Sequence, residues 1–360
     1  MSSSSDCSGT NVLQESSSSD SKNADLLQEY IHAFIISKVV FSACELNVFD
    51  VLAGSEVPLP LTAISELLGT SIRGTEILLD ACVGLKLLKA DNQNGEVLYK
   101  NTELAHRYLR KTSSKSLFSS IIHYSPNVFR KMDLLTDSVK QGIPVCKMQH
   151  GNPEDAFFNL YRSEEQMIEF LQCMESSWLL FDKEAVMSAF DLSSFKIICD
   201  LGGGTGTLAK VCDAMYPTSS VILYDLPEII QVTQEHFISK GDNRISFQKG
   251  NFFKDPLPDA DLFILSRILH DWDDDTCLKL LKKIYMACKP GDGVLIIEML
   301  LNEDRTGPLI AQLTSILMLV VTDGKERTLS AFKTLLETAG FKDIQLGANG
   351  KIMEVILARK

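Results

Sequence analysis

The sequence predicts an α/β protein: a mostly parallel sheet with helices on both faces, preceded by an all-helical domain of winged-helix outline. Three observations carry this. From Phe195 onward, short apolar segments alternate with segments of helical period, the grammar of a covered parallel sheet. Before that point the chain is helical in period almost throughout, broken by one hairpin signal. The 360 residues, 45% hydrophobic and 23% charged, are also enough to build more than one core.

Net charge is −12, from 35 Lys and Arg against 47 Asp and Glu. Sequence-independent grip on nucleic acid needs clustered positive charge, so no nucleic acid partner is expected. Nine cysteines, an odd count, include no C-x-x-C pair and no Cys/His group at zinc spacing. They read as buried reduced thiols, and no metal is expected. The N-terminus lacks the charged start and apolar stretch of a secretory signal. No uninterrupted apolar run approaches the ~20 residues that span a bilayer. A cytoplasmic protein with no membrane partner is expected.

Residues 1–23 are Ser-rich, polar and without period, and read as a disordered tail. From Asp25 to Ala53 apolar residues fall in every helical turn: Leu26, Leu27, Tyr30, Ile31, Phe34, Ile35, Val39 and Phe41. A helix this apolar all round buries a face in a core or against another subunit. The second is expected, which makes a homodimer. Next come LTAISELLG, a turn at Gly69–Ser71, then IRGTEILLDACVGLKLL and DNQNGEVLYKN, with a hairpin at Asn94–Gly95. Helix, turn, helix and hairpin give the winged-helix outline. Its second helix offers Arg73 and Lys86 against Glu76 and Asp80, a balance suited to packing and not to DNA readout. Residues 103–190 are mostly helical, with a loop around Gly142–Pro153.

Candidate strands in the α/β part are Lys196–Leu201, Ser220–Tyr224, Ile245–Lys249, Leu262–Ser266 and Val294–Met299. FKDIQLG and KIMEVILARK, joined at Asn349–Gly350, form a terminal hairpin, so the sheet should finish on an antiparallel strand. The first strand, KIICD, runs straight into LGGGTGTLAK. Asp200, Gly202, Gly204 and Gly206 thus give D-x-G-x-G-x-G at a strand-to-helix turn, where glycine lets backbone approach a ligand at positive φ. Asp225 ends the next strand, placed to accept both hydroxyls of an adenosine ribose. Gly204-Thr-Gly206-Thr-Leu-Ala209 also fits the dinucleotide fingerprint, so the turn alone admits a nicotinamide or S-adenosylmethionine (SAM). Two features favour SAM. Asp200 precedes the loop, suited to a cationic ligand, and the module lies behind an apolar helical domain able to hold an acceptor.

SRILHDWDDD follows the fourth strand and puts His270 and Asp271 at the C-terminal edge of the sheet, where open α/β sheets bind ligands. Of six histidines it alone is so placed. Glu298 ends the next strand, and Glu326 follows a Gly turn in TDGKERT. Carboxylates converging on His270 would fix its tautomer, the part played by a triad's third member.

DLGGGTGTLAK, YDLPEII, GNFFKDPLPDADLFILSRILHDWDDD and DGKERT together resemble the plant-type small-molecule O-methyltransferases, and among these the acetylserotonin O-methyltransferase family. Similarity runs from about Leu26 to Lys360. The resemblance implies a winged-helix-like dimerisation domain at 24–115 and a helical connector at 116–190 contributing to the acceptor pocket. A Rossmann-like SAM-dependent methyltransferase domain follows at 191–360. It implies His270 as catalytic base, flanked by Glu298 and Glu326. Cofactor contacts carry over to Tyr161, Trp178, Gly202, Asp225, Gly250, Asn251, Phe252 and Arg267, and an acceptor contact to Asp271. Physical chemistry narrows the acceptor. A phenol has pKa ~10 and free histidine ~6.5, so proton transfer between them is uphill by roughly 5 kcal/mol. An aliphatic alcohol would cost on the order of 12 kcal/mol, too much for a histidine alone. A small aromatic hydroxyl is the expected substrate.

Two departures from the family pattern matter. Asn251 stands where the family has Asp in G-D-F-F; its carbonyl oxygen can still accept from an adenine amino group, with weaker cofactor binding expected. Leu317 and Val321 stand where the acetylserotonin enzymes carry an Asn and a Gln that contact the acceptor. They are four apart and share a helix face. An apolar pair in place of an amide-reading one lowers selectivity for an amide-bearing acceptor. True N-acetylserotonin methylation, giving melatonin, is the alternative substrate reading. A non-catalytic SAM-binding regulatory paralogue and an NAD-dependent oxidoreductase are alternatives of other kinds.

Overall fold

The computed structural model describes residues 9–150, 163–239, 244–347 and 352–360. The chain divides into two compact units, Met1–Ile122 and His123–Lys360, a boundary that falls inside the stretch read as a connector.

In the first unit a long helix, α1 (Gly9–Glu45), leads into α2 (Val48–Ala53). Residues 9–23, expected to be disordered, are therefore helical in backbone. Serine is a modest helix former, but extending a nucleated helix is far easier than starting one, and the apolar stretch from Ala24 supplies the nucleus. Within the unit α1 packs only at its C-terminal end. Ala43 and Cys44 are fully buried, whereas Leu27, Tyr30, Ile31 and Phe34 are 59–67% exposed. Ser21–Glu45 is long and apolar enough by composition to cross a membrane. Lys22, Asp25, Glu29 and Lys38 interrupt it, which is why a search for uninterrupted runs passes over it.

Strand β1 (Leu59–Pro60) precedes α3 (Leu61–Leu68) and α4 (Ile72–Gly84). Gly69 ends α3 in the left-handed region at φ 64°, and Ser71 caps α4 by accepting from the Gly74 N–H at 3.1 Å. Strands β2 (Leu88–Gln93) and β3 (Glu96–Asn101) form the wing. Asn94 and Gly95 turn it with φ of 54° and 87°, the pair of positive values that a two-residue type I′ hairpin requires. Phe49, Ile64, Leu79 and Tyr99 centre this unit's core.

The second unit is built on a seven-stranded sheet. Its strands are β4 (Ile197–Leu201), β5 (Ser220–Asp225), β6 (Ile245–Lys249), β7 (Leu262–Ser266), β8 (Gly293–Glu298), β11 (Lys342–Gly347) and β12 (Glu354–Arg359), in the order β11-β12-β8-β7-β4-β5-β6. Strands β4 to β8 run parallel. The last strand, β12, is reversed as expected, but it is inserted between β8 and β11 and is not the edge. The Asn349–Gly350 turn lies outside the described residues. β8 is buried at all six positions, so it reads as a continuous apolar run, as fully covered parallel strands do. Helix Thr207–Met215 covers one face, and helices Asp274–Ala287 and Leu329–Ala339 cover the other. A further two-residue parallel ladder joins β9 (Leu300–Leu301) to β10 (Arg327–Thr328). The stretch read as a loop at 142–153 contains helix Val145–His150. All eight described cysteines are buried and free. Strand order reverses at β4, and the resulting crevice at the C-terminal ends of β4, β5 and β7 is where the site residues gather.

Candidate active site

The turn after β4 carries Gly202, Gly204 and Gly206 at φ of 77°, 53° and 73°. Space is tight at two of them as well: a Cβ on Gly202 would meet the tip of Ile268 at 2.7 Å, and one on Gly206 the tip of Leu223 at 2.7 Å. Asp225, at the end of β5, accepts from the Gly204 N–H at 2.9 Å and the Leu226 N–H at 2.7 Å. Burial raises its carboxyl to about 6, with those two N–H groups acting against the rise. Asp200 lies beneath the turn, 2% exposed, and one of its oxygens has no hydrogen-bond partner. Burial, then the charge of Asp225, pushes it up to about 7. Its carboxylate lies against the glycine turn, where a Cβ on Gly203 would meet Oδ2 at 2.7 Å.

Gly250, Asn251 and Phe252 follow β6 and border the same crevice. A Cβ on Gly250 would overlap the Tyr224 ring, and the Phe252 ring stands 3.4 Å from where a Gly202 side chain would be. The Asn251 carbonyl differs from expectation. Its Oδ1 accepts from the N–H groups of Phe253 at 2.9 Å and Lys254 at 3.3 Å, so it caps the turn. The amide nitrogen, a donor, is the group left to meet a ligand.

Arg267 closes the crevice from β7. Its backbone is in the left-handed region at φ 54°, unusual for a side chain of this size. Its guanidinium donates to Ser177 Oγ at 2.7 Å and to the Met174 carbonyl at 3.2 Å, 5.2 Å from the Trp178 ring centre. Nε is buried with no partner among the described residues. Helix Glu164–Phe181 thus brings Trp178 to Arg267, an association that sequence spacing does not reveal. Tyr161 lies outside the described residues.

His270 sits in a short 3-10 turn, Leu269–Asp271, after β7. Its Nδ1 is 2.8 Å from Glu326 Oε1 and 3.6 Å from Glu298 Oε2, and its Nε2 is 3.8 Å from Asp271 Oδ1. Both glutamates converge on it, but with different tasks. Glu326 meets the ring. Glu298 Oε1 accepts from the backbone N–H groups of Ile268 at 3.1 Å, Leu269 at 2.8 Å and His270 at 3.4 Å, so it holds the turn. The convergence follows from the β9–β10 ladder, which lays Glu326 beside the end of β8. Gly324 allows the approach, since a Cβ there would overlap the His270 carbonyl. Burial alone would lower the His270 pKa; the charges of Glu298 and Asp271 and the Glu326 hydrogen bond outweigh it and raise it to about 10. Asp271 is pushed up to about 6 by burial, against the pull of His270. Leu317 and Val321 are half-buried on helix Leu309–Val321, one turn apart. Sequence reading did not single out Ser177 or Arg327, both of which hold site residues in place.

Residues 132–342 match the O-methyltransferase domain and residues 28–111 the O-methyltransferase dimerisation domain, so the chain belongs to the O-methyltransferase family and is an enzyme of that class. The particular relatives are more telling. The chain is 47% identical over 345 residues to acetylserotonin O-methyltransferase of Gallus gallus, covering 96% of this chain and 99% of that one. It is 45% identical over 344 residues to the Homo sapiens enzyme of the same name, covering 95% and 99%. The crystal structure of human N-acetylserotonin methyltransferase in complex with SAM matches with a TM-score of 0.89 at 43% identity, over 100% of this chain and 99% of that one.

Proposed function

We propose that the protein transfers a methyl group from SAM to the hydroxyl of a small aromatic molecule, with His270 as general base. The 2.8 Å approach of His270 Nδ1 to Glu326 Oε1 carries this reading. A proton on Nδ1 is held by Glu326, which leaves Nε2 to take a proton from an acceptor. The crevice suits SAM. Asp225 offers a carboxylate to a ribose, and the partnerless Nε of Arg267 offers a donor to an anionic group. When bound, SAM supplies an electrophilic methyl group on a sulfonium.

His270 does the proton work. The carboxylates that raise its conjugate acid towards 10 make neutral His270 a stronger base towards a phenol of pKa ~10 than a free histidine, for which the transfer costs roughly 5 kcal/mol. The same shift keeps the ring protonated at pH 7 until a neighbouring positive charge pushes it down. Asp271 and Arg267 flank the reacting edge, and most of the acceleration then comes from holding oxygen and methyl in line. The scheme uses no metal, and a chelator should leave turnover unchanged.

The half-buried Leu317 and Val321 favour a phenol more apolar than N-acetylserotonin. Identity of 45–47% to acetylserotonin enzymes favours N-acetylserotonin itself as the second reading. A homodimer is favoured by the match to the dimerisation domain, which begins within α1. The deciding experiment is a panel of phenols, N-acetylserotonin included, with labelled SAM and detection of methylated product. Tight SAM binding with no product from any phenol would instead mean a regulatory protein.

A further inference from the structure

We infer that Arg327 is a positioning residue for the reaction, a guanidinium that sets the pose of the turn carrying His270 from the side opposite Glu298. Arg327 is 2% exposed and is the largest fully buried side chain of the molecule's described residues. Its Nη1 donates to the Leu269 carbonyl at 2.8 Å and its Nη2 to the Trp272 carbonyl at 2.7 Å. Those two residues bracket His270 and Asp271. Nε donates to Asp274 Oδ1 at 2.8 Å, and Nη1 also reaches the Lys325 carbonyl at 3.3 Å.

Set beside Glu298, the arrangement is complementary. The amide hydrogens of residues 268–270 face a carboxylate, while the carbonyls of residues 269 and 272 face a guanidinium. The peptide dipoles of one short turn are held at both ends by opposite charges, both buried. Arg327 and Glu326 are neighbours in the chain, so one segment fixes the His270 ring through a carboxylate and its backbone through a cation. A planar fork aims donors at both carbonyls and at Asp274 in fixed directions; a lysine ammonium, on a shorter and freely rotating stem, keeps the charge but not that geometry. A tilt of this turn moves Nε2 away from an acceptor while the glycine turn after β4 and Asp225 at the end of β5 stay in place. Removing the fork should therefore impair proton abstraction and spare cofactor binding.

The inference rests on His270 as base, and the test separates the two. Full-length protein, Arg327→Lys and His270→Gln are compared on two acceptors: a phenol of ordinary pKa, and a nitrophenol already ionised at the assay pH. The second needs no base. For Arg327→Lys we expect an unchanged oligomeric mass, with the SAM dissociation constant and acceptor KM within about threefold. We expect kcat on the ordinary phenol to fall about tenfold to a hundredfold, and the deficit to shrink to about threefold on the nitrophenol. Equal losses on both acceptors, or no loss, overturn the role of Arg327. If His270→Gln itself shows no dependence on acceptor, the reading of His270 as base is what fails. Should Arg327→Lys not fold, Asp274→Asn loosens the fork from its half-exposed end, with the same acceptor dependence expected in milder form. Proton NMR titration of His270 gives a readout without turnover: its pKa should fall by a unit or more in Arg327→Lys as the ring drifts from Glu326, and an unmoved titration counts against the inference.

Discussion

His270 stands among three carboxylates, and the sum of their charges decides where its proton resides. With its pKa raised to about 10, the ring is a cation in the free protein at pH 8. A second cation placed beside it should expel that proton, whereas an uncharged thioether should not. SAM binding at pH 8 should therefore release close to one proton more than binding of S-adenosylhomocysteine, measured by calorimetry in buffers of different ionisation enthalpy. Equal release would put the sulfonium away from His270. Asn251 gives a second prediction at this scale. Its carbonyl is spent on the turn, so Asn251→Asp keeps that cap and adds a free charged acceptor. SAM should bind about threefold to tenfold more tightly to the variant; weaker binding would mean that a donor is what the base requires. The sequence showed which of these residues end strands, and so named His270, Glu298 and Asp225. It could not show that Glu298 grips backbone while Glu326 grips the ring, because two-residue β9 and β10 have no periodicity to read. Arg327 escaped notice for the same reason, since an arginine in a Gly-containing turn reads as solvated.

At the scale of elements, the five parallel strands were legible to within one residue, because strands covered on both faces are continuous apolar runs bounded by turn residues. The wing was legible from Asn94–Gly95 alone. The start of α1 was not, since Ser-rich sequence carries no helical period of its own. The face of α1 that its own unit leaves open tests the dimer. Leu27, Tyr30, Ile31 and Phe34 lie 59–67% exposed, so charges placed there disturb no packing within the unit. Ile31→Glu with Phe34→Glu should leave helix content unchanged by circular dichroism and convert a dimeric mass to a monomeric one by light scattering. Buried against a partner, each unpaired charge would cost several kcal/mol. A monomeric mass for the unmodified protein would remove the dimer altogether.

At the scale of the whole molecule, five buried titratable groups at the sheet edge shift upward. Asp225 and Asp271 rise to about 6, Asp200 and Glu298 to about 7, and His270 to about 10. A group whose folded pKa lies above its unfolded value lends stability that is complete below the unfolded value and is lost as pH rises through the folded one. The carboxylates lose theirs between roughly pH 4 and 7, and the histidine between roughly 6.5 and 10. A net charge of −12 adds self-repulsion in the same direction. The melting temperature of the cofactor-free protein should therefore fall steadily from about pH 5 to about pH 10 in scanning calorimetry. A flat profile would mean that water reaches these groups freely.

The short ladder between Leu300–Leu301 and Arg327–Thr328 has one more consequence. Everything from Asn302 to Glu326 departs from and returns to a single place in the structure, so the span that its two ends must bridge is set by the ladder and not by what hangs between them. Loop-closure entropy grows only slowly with length, which makes such a segment tolerant of replacement. Helix Leu309–Val321 is tied in all the same: Ala311 and Val320 are fully buried, and Ser315 Oγ accepts from the Glu326 N–H at 3.2 Å. A change along the helix is therefore felt at the ladder's end, where Glu326 meets the His270 ring.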